Sequence, residues 1–226
     1  MVLDGMTYDR PVKIPVGPVT LEGDLHLGSK HAIVLFAHGS GSSRHSPRNR
    51  QVAETLQKAG LGTLLLDVLT KDEERVDEQT AHLRFDIVLL ADRLAAATDW
   101  LEEHIGSAKI GYFGASTGAA AALLAAAKKQ GVVRAVVSRG GRPDLAGQHL
   151  DKVRAPTLLI VGGNDSPVIG MNQEAFNKLK IKDKRLETVP GATHLFEEPG
   201  KLEEVARLTR GWFECYLHGE VARAQA

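Results

Sequence analysis

Residues 109–129 read KIGYFGASTGAAAALLAAAKK. A β-type run, Lys109 to Phe113, passes through Gly114-Ala115-Ser116-Thr117-Gly118 into an alanine-rich stretch with strong helix propensity. A strand that turns within five residues into a helix is the repeating unit of parallel sheets covered by helices. The rest of the chain supports the same architecture. Ala32 to Ala37, Gly62 to Asp67, Val132 to Ser138, Thr157 to Val161 and Arg185 to Val189 read as further strands. AIVLFA, TLLLD and TLLIV are almost continuously apolar, as strands covered on both faces must be. Val12 to Val16 and Val19 to Leu27, joined near Gly17 and Pro18, read as an antiparallel hairpin at the edge of that sheet.

Helices fill the intervals. Leu83, Ile87, Leu90, Leu94, Ala97 and Leu101 step by three or four residues and form one apolar stripe. Leu202, Val205, Leu208, Trp212 and Tyr216 form another near the C-terminus. Pro47 starts a third helix, with Val52, Leu56 and Ala59 on one side and Gly60 at its end. His82 and His104 are assigned to a charged helix. The fold class is therefore α/β, a mostly parallel twisted sheet with an antiparallel N-terminal hairpin and helices on both faces. No repeat or linker divides residues 1–226, so one domain is expected, with a frayed tail over about 219–226.

The bulk properties narrow the function classes. The 226 residues are 43% hydrophobic and 25% charged, with zero formal net charge, which favours neither nucleic acid nor an anionic membrane as partner. One cysteine, Cys215, excludes an intrachain disulfide and suits a reducing compartment. Met1 to Gly17 lacks the apolar core of a signal peptide, and no run reaches the roughly 20 apolar residues of a membrane span. A cytoplasmic protein is expected, with no cofactor, and its oligomeric state is left open. No metal-ligand motif is present.

The candidate chemistry lies at strand ends. Ser116 sits on the strand-to-helix turn, where flanking glycines let backbone segments pass closely and the helix N-terminus favours developing negative charge. A serine hydroxyl needs a neighbouring base to become a nucleophile. Of the nine histidines, His194 follows the last strand on a loop and is the candidate base. Asp165, in GGNDSPV (162–168) at the end of TLLIV, is the candidate orienting acid. Asp144 is its rival, otherwise a helix cap. The expected oxyanion donors are the Thr117 N–H and the Ser40 N–H, with Gly41 as alternative to Ser40.

Five segments carry a family resemblance: HGSGSSRHSPRN (38–49), GASTG (114–118), SRGGRPDL (138–145), GGNDSPV (162–168) and THLFEEPG (193–200). From about Val12 to Leu217 the chain resembles the dienelactone hydrolase-related branch of α/β-hydrolases. It is also similar to the hydrolase portion that some bacterial proteins carry fused to a phosphoribosyltransferase. The resemblance implies a three-layer α/β/α sandwich, a Ser/Cys-His-Asp triad and hydrolysis of esters or lactones. The family's nucleophile, acid and base fall on Ser116, Asp165 and His194. Dienelactone hydrolases proper use a cysteine nucleophile, so the serine here points to a general carboxylesterase acting on a small-molecule ester or lactone. Cys215 reads as packing in the last helix.

Only 18 residues separate Ser138 from Thr157, too few for a cap domain, so the site should be open. Leu69, Val168, Ile169, Leu195 and Phe196 are candidate walls, and Arg44, Arg139 and Arg142 candidate clamps for an anionic group, with solvated or structural roles as the alternative. Three rival readings stand beside the hydrolase. An acyltransferase would use the same triad, and a non-catalytic binding protein the same fold. A dinucleotide module would use the glycines of HGSGSS, although Arg44 occupies the third glycine position of that fingerprint.

Overall fold

A computed structural model describes residues 9–29 and 31–217. Strands β1 (Asp9–Val16), β2 (Val19–His26), β3 (Ala32–Ala37), β4 (Gly62–Leu66), β5 (Lys109–Ala115), β6 (Val133–Arg139), β7 (Thr157–Gly162) and β8 (Lys184–Val189) form one sheet in the order β1-β2-β4-β3-β5-β6-β7-β8. β1 pairs antiparallel with β2, and β2 antiparallel with β4. All other pairs are parallel. The α/β sandwich with an antiparallel N-terminal hairpin is thus the observed fold. The expected frayed tail, 219–226, and residues 1–8 of the N-terminal stretch lie outside the described residues.

Register places the site. Ala37 lies opposite both Leu66 and Gly114, Ala115 opposite Arg139, and Arg139 opposite Ile160. The carboxyl ends of five parallel strands therefore align, and the loops that leave them meet along one edge, where open α/β sheets bind ligands.

Among the described residues six α-helices accompany the sheet: α1 (Pro47–Lys58), α2 (Lys71–Thr80), α3 (Ile87–Ile105), α4 (Thr117–Lys128), α5 (Ser166–Lys178) and α6 (Lys201–Leu217). Alternate strand residues feed two cores. Ile33, Leu35, Leu64, Leu66, Ile110 and Tyr112 pack with α3, α4 and α5. Val34, Phe36, Leu65, Phe113 and Val137 pack with α1 and α6. Both faces being covered explains why these strands read as unbroken apolar runs. Between β6 and β7 the chain makes only a 3-10 segment, Pro143–Lys152, and no cap domain. No helix of the described residues is long and apolar enough to cross a membrane.

Several expectations are corrected. The stripe beginning at Leu83 is broken: Leu83 belongs to a 3-10 turn, Asp86 caps α3, and the helix starts at Ile87. His82 precedes that turn and lies in no α-helix. The buried face of α6 is Leu202, Val205, Ala206, Thr209, Phe213 and Leu217, one position round from the expected stripe, with Leu208, Trp212 and Tyr216 at its flank. Gly111 sets that choice, because a Cβ there would lie 2.7 Å from the Phe213 ring. Cys215 is on the exposed side of α6 and does not pack.

The sheet's two margins are polar or proline-bearing. On β1, Pro11, Lys13 and Pro15 are exposed, and neither proline has an N–H to offer. On β8, Lys184, Arg185 and Glu187 supply the charge.

Candidate active site

β5 enters α4 through Ser116, whose φ of +51° and ψ of −121° lie outside the comfortable range of an L-residue. Contacts on both sides hold it there. A Cβ on Gly114 would lie 2.4 Å from the Ala119 Cα, and one on Gly118 would lie 2.2 Å from the Ala37 carbonyl oxygen. Helix α4 therefore crosses the ends of β3 and β5 at a distance only glycine permits. The Ser116 N–H donates to the Arg139 carbonyl (3.2 Å), and its own carbonyl accepts from Arg142 N–H (3.0 Å).

The loop after β3 wraps the same turn. Gly39 lies against Ser116: a Cβ there would sit 2.9 Å from the Ser116 Cβ and 3.7 Å from Oγ. Gly41, at φ +65°, closes a turn in which Ser42 N–H donates to the Gly39 carbonyl (3.2 Å). Ser40 Oγ and Thr117 Oγ1 are hydrogen-bonded at 3.0 Å, which ties the loop to the first residue of α4. Neither the Ser40 nor the Thr117 N–H has an acceptor among the described residues. His38 is buried and neutral in character: the Val68 N–H donates to its Nε2 (3.4 Å), leaving Nδ1 to donate to the Gly39 carbonyl (3.0 Å). Burial lowers its pKa, in keeping with that tautomer.

Asp165 and His194 come from neighbouring loops sewn together by backbone. The Gly163 N–H donates to the Val189 carbonyl (2.9 Å) and the Asn164 N–H to the Ala192 carbonyl (2.9 Å). A Cβ on Gly162 would lie 2.5 Å from the carbonyl oxygens of Ala192 and Thr193, so glycine is required for this approach. His194 Nδ1 is then 2.7 Å from Asp165 Oδ2. A carboxylate at that distance places the ring proton on Nδ1 and leaves Nε2 as an acceptor. The ring lies over Gly140, with Cε1 3.6 Å from a Cβ built there, and Gly140 follows the residue that receives the Ser116 N–H. Ser116 and His194 thus both lie against the 139–140 segment at one edge of the sheet, although Ser116 Oγ forms no hydrogen bond to the imidazole here. Asp144 is held elsewhere, accepting from Arg142 Nε (2.9 Å) and Nη2 (2.8 Å).

A cavity of about 350 Å³ opens beside this turn. Gly39, Ser40 and Thr117 border it next to Ser116, Leu69 and Val68 floor it, and α2 and the following turn roof it through Glu74 and Arg84. Leu69 is the one candidate wall residue among the lining of this cavity. Val168 and Leu195 do not line this cavity; they are close in sequence to Asp165 and His194. Phe196 is corrected outright: it is fully buried in the core beneath α6, against Gly140, and forms no wall.

The expected anion clamps are corrected as well. Arg44 is bound by three carboxylates: Asp67 (to Nη1 and to the backbone N–H, 2.6 Å), Glu22 (2.9 Å) and Asp24 (3.5 Å). It fastens the 39–47 loop to β2 and β4. Arg142 is spent on Asp144. Arg139 is 6% exposed, its Nη2 donates to Asn49 Oδ1 (3.2 Å), and its Nε has no partner. Burial, reinforced by Arg48, pushes its pKa down to about 10. Because the folded state holds that proton less tightly than the unfolded chain, the charge costs stability at every pH below about 10. Arg139→Met should therefore raise stability at pH 7 by roughly 1–3 kcal/mol. Urea unfolding measures this, and an unchanged or lower midpoint contradicts it.

The α2 excursion that roofs the cavity was not anticipated. Polar contacts hold it: Thr70 and Glu73 form a reciprocal capping box, and buried Arg93 donates to Glu73 (2.7 Å) and to the Val68 carbonyl (2.7 Å). Asp77 accepts from Leu83 N–H (2.7 Å), Arg84 N–H (3.1 Å) and Arg84 Nε (2.6 Å). The Thr70-x-x-Glu73 spacing is the sequence signal that could have located it.

Comparison with known proteins agrees with this architecture. The chain is 56% identical over 214 residues to proteins of two Mycobacterium tuberculosis strains that carry a provisional phosphoribosyl transferase name. The match covers 93% of this chain and 47% of theirs, so the chain spans about half the length of the curated relatives it matches. A crystal structure of dienelactone hydrolase from Anabaena variabilis is 58% identical, with a TM-score of 0.90 over 93% of this chain and 99% of that one. A Xanthomonas campestris serine hydrolase without lid shares the fold at 17% identity, with a TM-score of 0.75 over 96% and 99%. The sequence profile of the Dienelactone hydrolase family matches residues 25–215. With that span of sequence and this arrangement of strand ends, the chain is an α/β hydrolase and belongs to the dienelactone hydrolase family.

Proposed function

We propose that the protein hydrolyses small carboxylic esters or lactones through an acyl-enzyme on Ser116, with His194 as base and Asp165 as its orienting acid. The observation that carries this reading is the 2.7 Å Asp165–His194 hydrogen bond at the edge that also holds the Ser116 turn. Ser116 Oγ attacks the carbonyl carbon, and its proton passes to His194 Nε2. The Thr117 and Ser40 N–H groups stabilise the oxyanion, each such donor being worth about 3–4 kcal/mol. Collapse breaks the ester bond, and the alcohol leaves with the proton from His194. Water then gives a proton to Nε2 and attacks the acyl group, releasing the acid and restoring the Ser116 hydroxyl. The serine–imidazole hydrogen bond tightens when substrate is bound, as apo geometries of this kind are often loose.

On this reading the phosphoribosyl transferase name of the relatives belongs to the part of those proteins that this chain does not match. A fluorophosphonate probe tests the assignment. Peptide mapping should find the probe on Ser116, and prior alkylation of exposed Cys215 with iodoacetamide should leave labelling and ester turnover intact. Probe on another residue, or none, would defeat it.

A further inference from the structure

The expectation of an arginine clamp for an anionic group fails in the structure, and the manner of its failure says something about substrate. The cavity beside Ser116 has an apolar floor, Val68, Leu69 and Leu90, and a hydroxyl-rich wall from the 40–46 loop. Its charged lining is three carboxylates, Glu74, Asp77 and Glu78, against one guanidinium, Arg84. Arg84 is already committed: Nε donates to the Asp77 carboxylate (2.6 Å) and Nη2 to the Asp77 carbonyl (2.8 Å). The next guanidinium, Arg44, is surrounded by Asp67, Glu22 and Asp24. Of the cavity's histidines, His38 is held neutral, and His45 Nδ1 faces the guanidinium of Arg50 at 3.1 Å. Glu74 and Glu78 have no hydrogen-bond or ion-pair partner among the described residues. Glu74 is half-buried, and burial, with repulsion from Asp67 and Glu78, raises its pKa above the ordinary carboxylate value.

We propose that this cavity selects substrates whose bound portion is uncharged, and that Glu74 and Glu78 exclude carboxylate-bearing esters. The inference deepens the reading of Ser116 as nucleophile and rests on it. A substrate carboxylate here would meet Glu74 and Glu78 while the one guanidinium of the lining, Arg84, is already paired with Asp77, in a partly desolvated space where like charges repel more strongly than in bulk water. An uncharged acyl or alcohol group packs on the apolar floor and the serine hydroxyls without that repulsion.

Two matched substrate pairs test the proposal from either side of the ester. 4-Nitrophenyl pentanoate against 4-nitrophenyl hydrogen glutarate varies charge on the acyl group. Phenyl acetate against 4-carboxyphenyl acetate varies it on the alcohol. In at least one pair, kcat/KM should favour the uncharged ester by about tenfold or more at low salt. In the Glu74→Gln, Glu78→Gln double variant that ratio should fall several-fold. A ratio near one in both pairs, or one the double variant leaves unchanged, overturns the charge selection while the Ser116 reading stands. If no ester of either pair is turned over, the Ser116 reading falls and the inference falls with it.

Discussion

Ser116→Ala should lower kcat/KM for a short-chain 4-nitrophenyl ester by roughly 10³-fold or more, with little change in unfolding midpoint. The large effect follows from removing the atom proposed to form the acyl-enzyme. The small one follows because the side chain caps nothing and alanine inherits the same backbone dihedrals. His194→Ala should cost a comparable factor. The Ser116→Ala, His194→Ala double variant should be scarcely slower than either single one, since groups acting in one proton transfer fail together. Asp165→Asn should lose about 10³- to 10⁴-fold, because an amide no longer requires the ring proton on Nδ1. Asp144→Asn, by contrast, removes a partner of Arg142 alone and should change the rate at most a few-fold. A variant series in which Asp144 proves the costlier position would transfer the orienting role to it. Steady-state kinetics on the five proteins decide the matter.

The second large effect is on folding. Gly118→Ala would place a methyl 2.2 Å from the Ala37 carbonyl oxygen and 2.5 Å from that of His38, and neither is a side chain that can rotate away. The start of α4 must then lift from β3, and the Thr117 N–H lifts with it. A loss of about 3 kcal/mol or more is expected, at the upper end of overpacking costs. Probe labelling of Ser116 in the remaining folded fraction should also slow. Gly211→Ala is the control. Gly211 lies inside α6 with open space where a Cβ would go, so alanine should stabilise by up to about 1 kcal/mol. Opposite signs from two glycine-to-alanine changes in urea unfolding would locate the constraint at the α4 crossing. Equal signs would refute it.

What could be read before any coordinates is explained by what held each part in place. β3, β4 and β7 are buried on both faces, and that condition writes itself into a few consecutive residues. Ser116, Asp165 and His194 each follow a strand closely, so their common edge comes from strand order alone. Helix α2 has no such signature. KDEERVDEQT contains a single large apolar residue, Val76, which is exposed, and the helix is fastened by Arg93 to Glu73 and by Asp77 to Arg84. Arg44 misled for a related reason. Its partners Glu22, Asp24 and Asp67 are distant in sequence, so an arginine in a polar loop looked available when it was not. The face of α6 turned on a contact of the same kind, the Phe213 ring against Gly111, which no periodicity within the helix records.

The treatment of the sheet's outer strands has a consequence for how copies of the molecule meet. β1 offers no amide at Pro11 and Pro15, with Lys13 between them, and β8 offers Lys184, Arg185 and Glu187. A neighbour extending the ladder would have to leave its own carbonyls unanswered on one border and desolvate the Arg185 guanidinium and Glu187 carboxylate on the other. The described margins of this β-layer therefore disfavour its extension by a second copy, even under crowding.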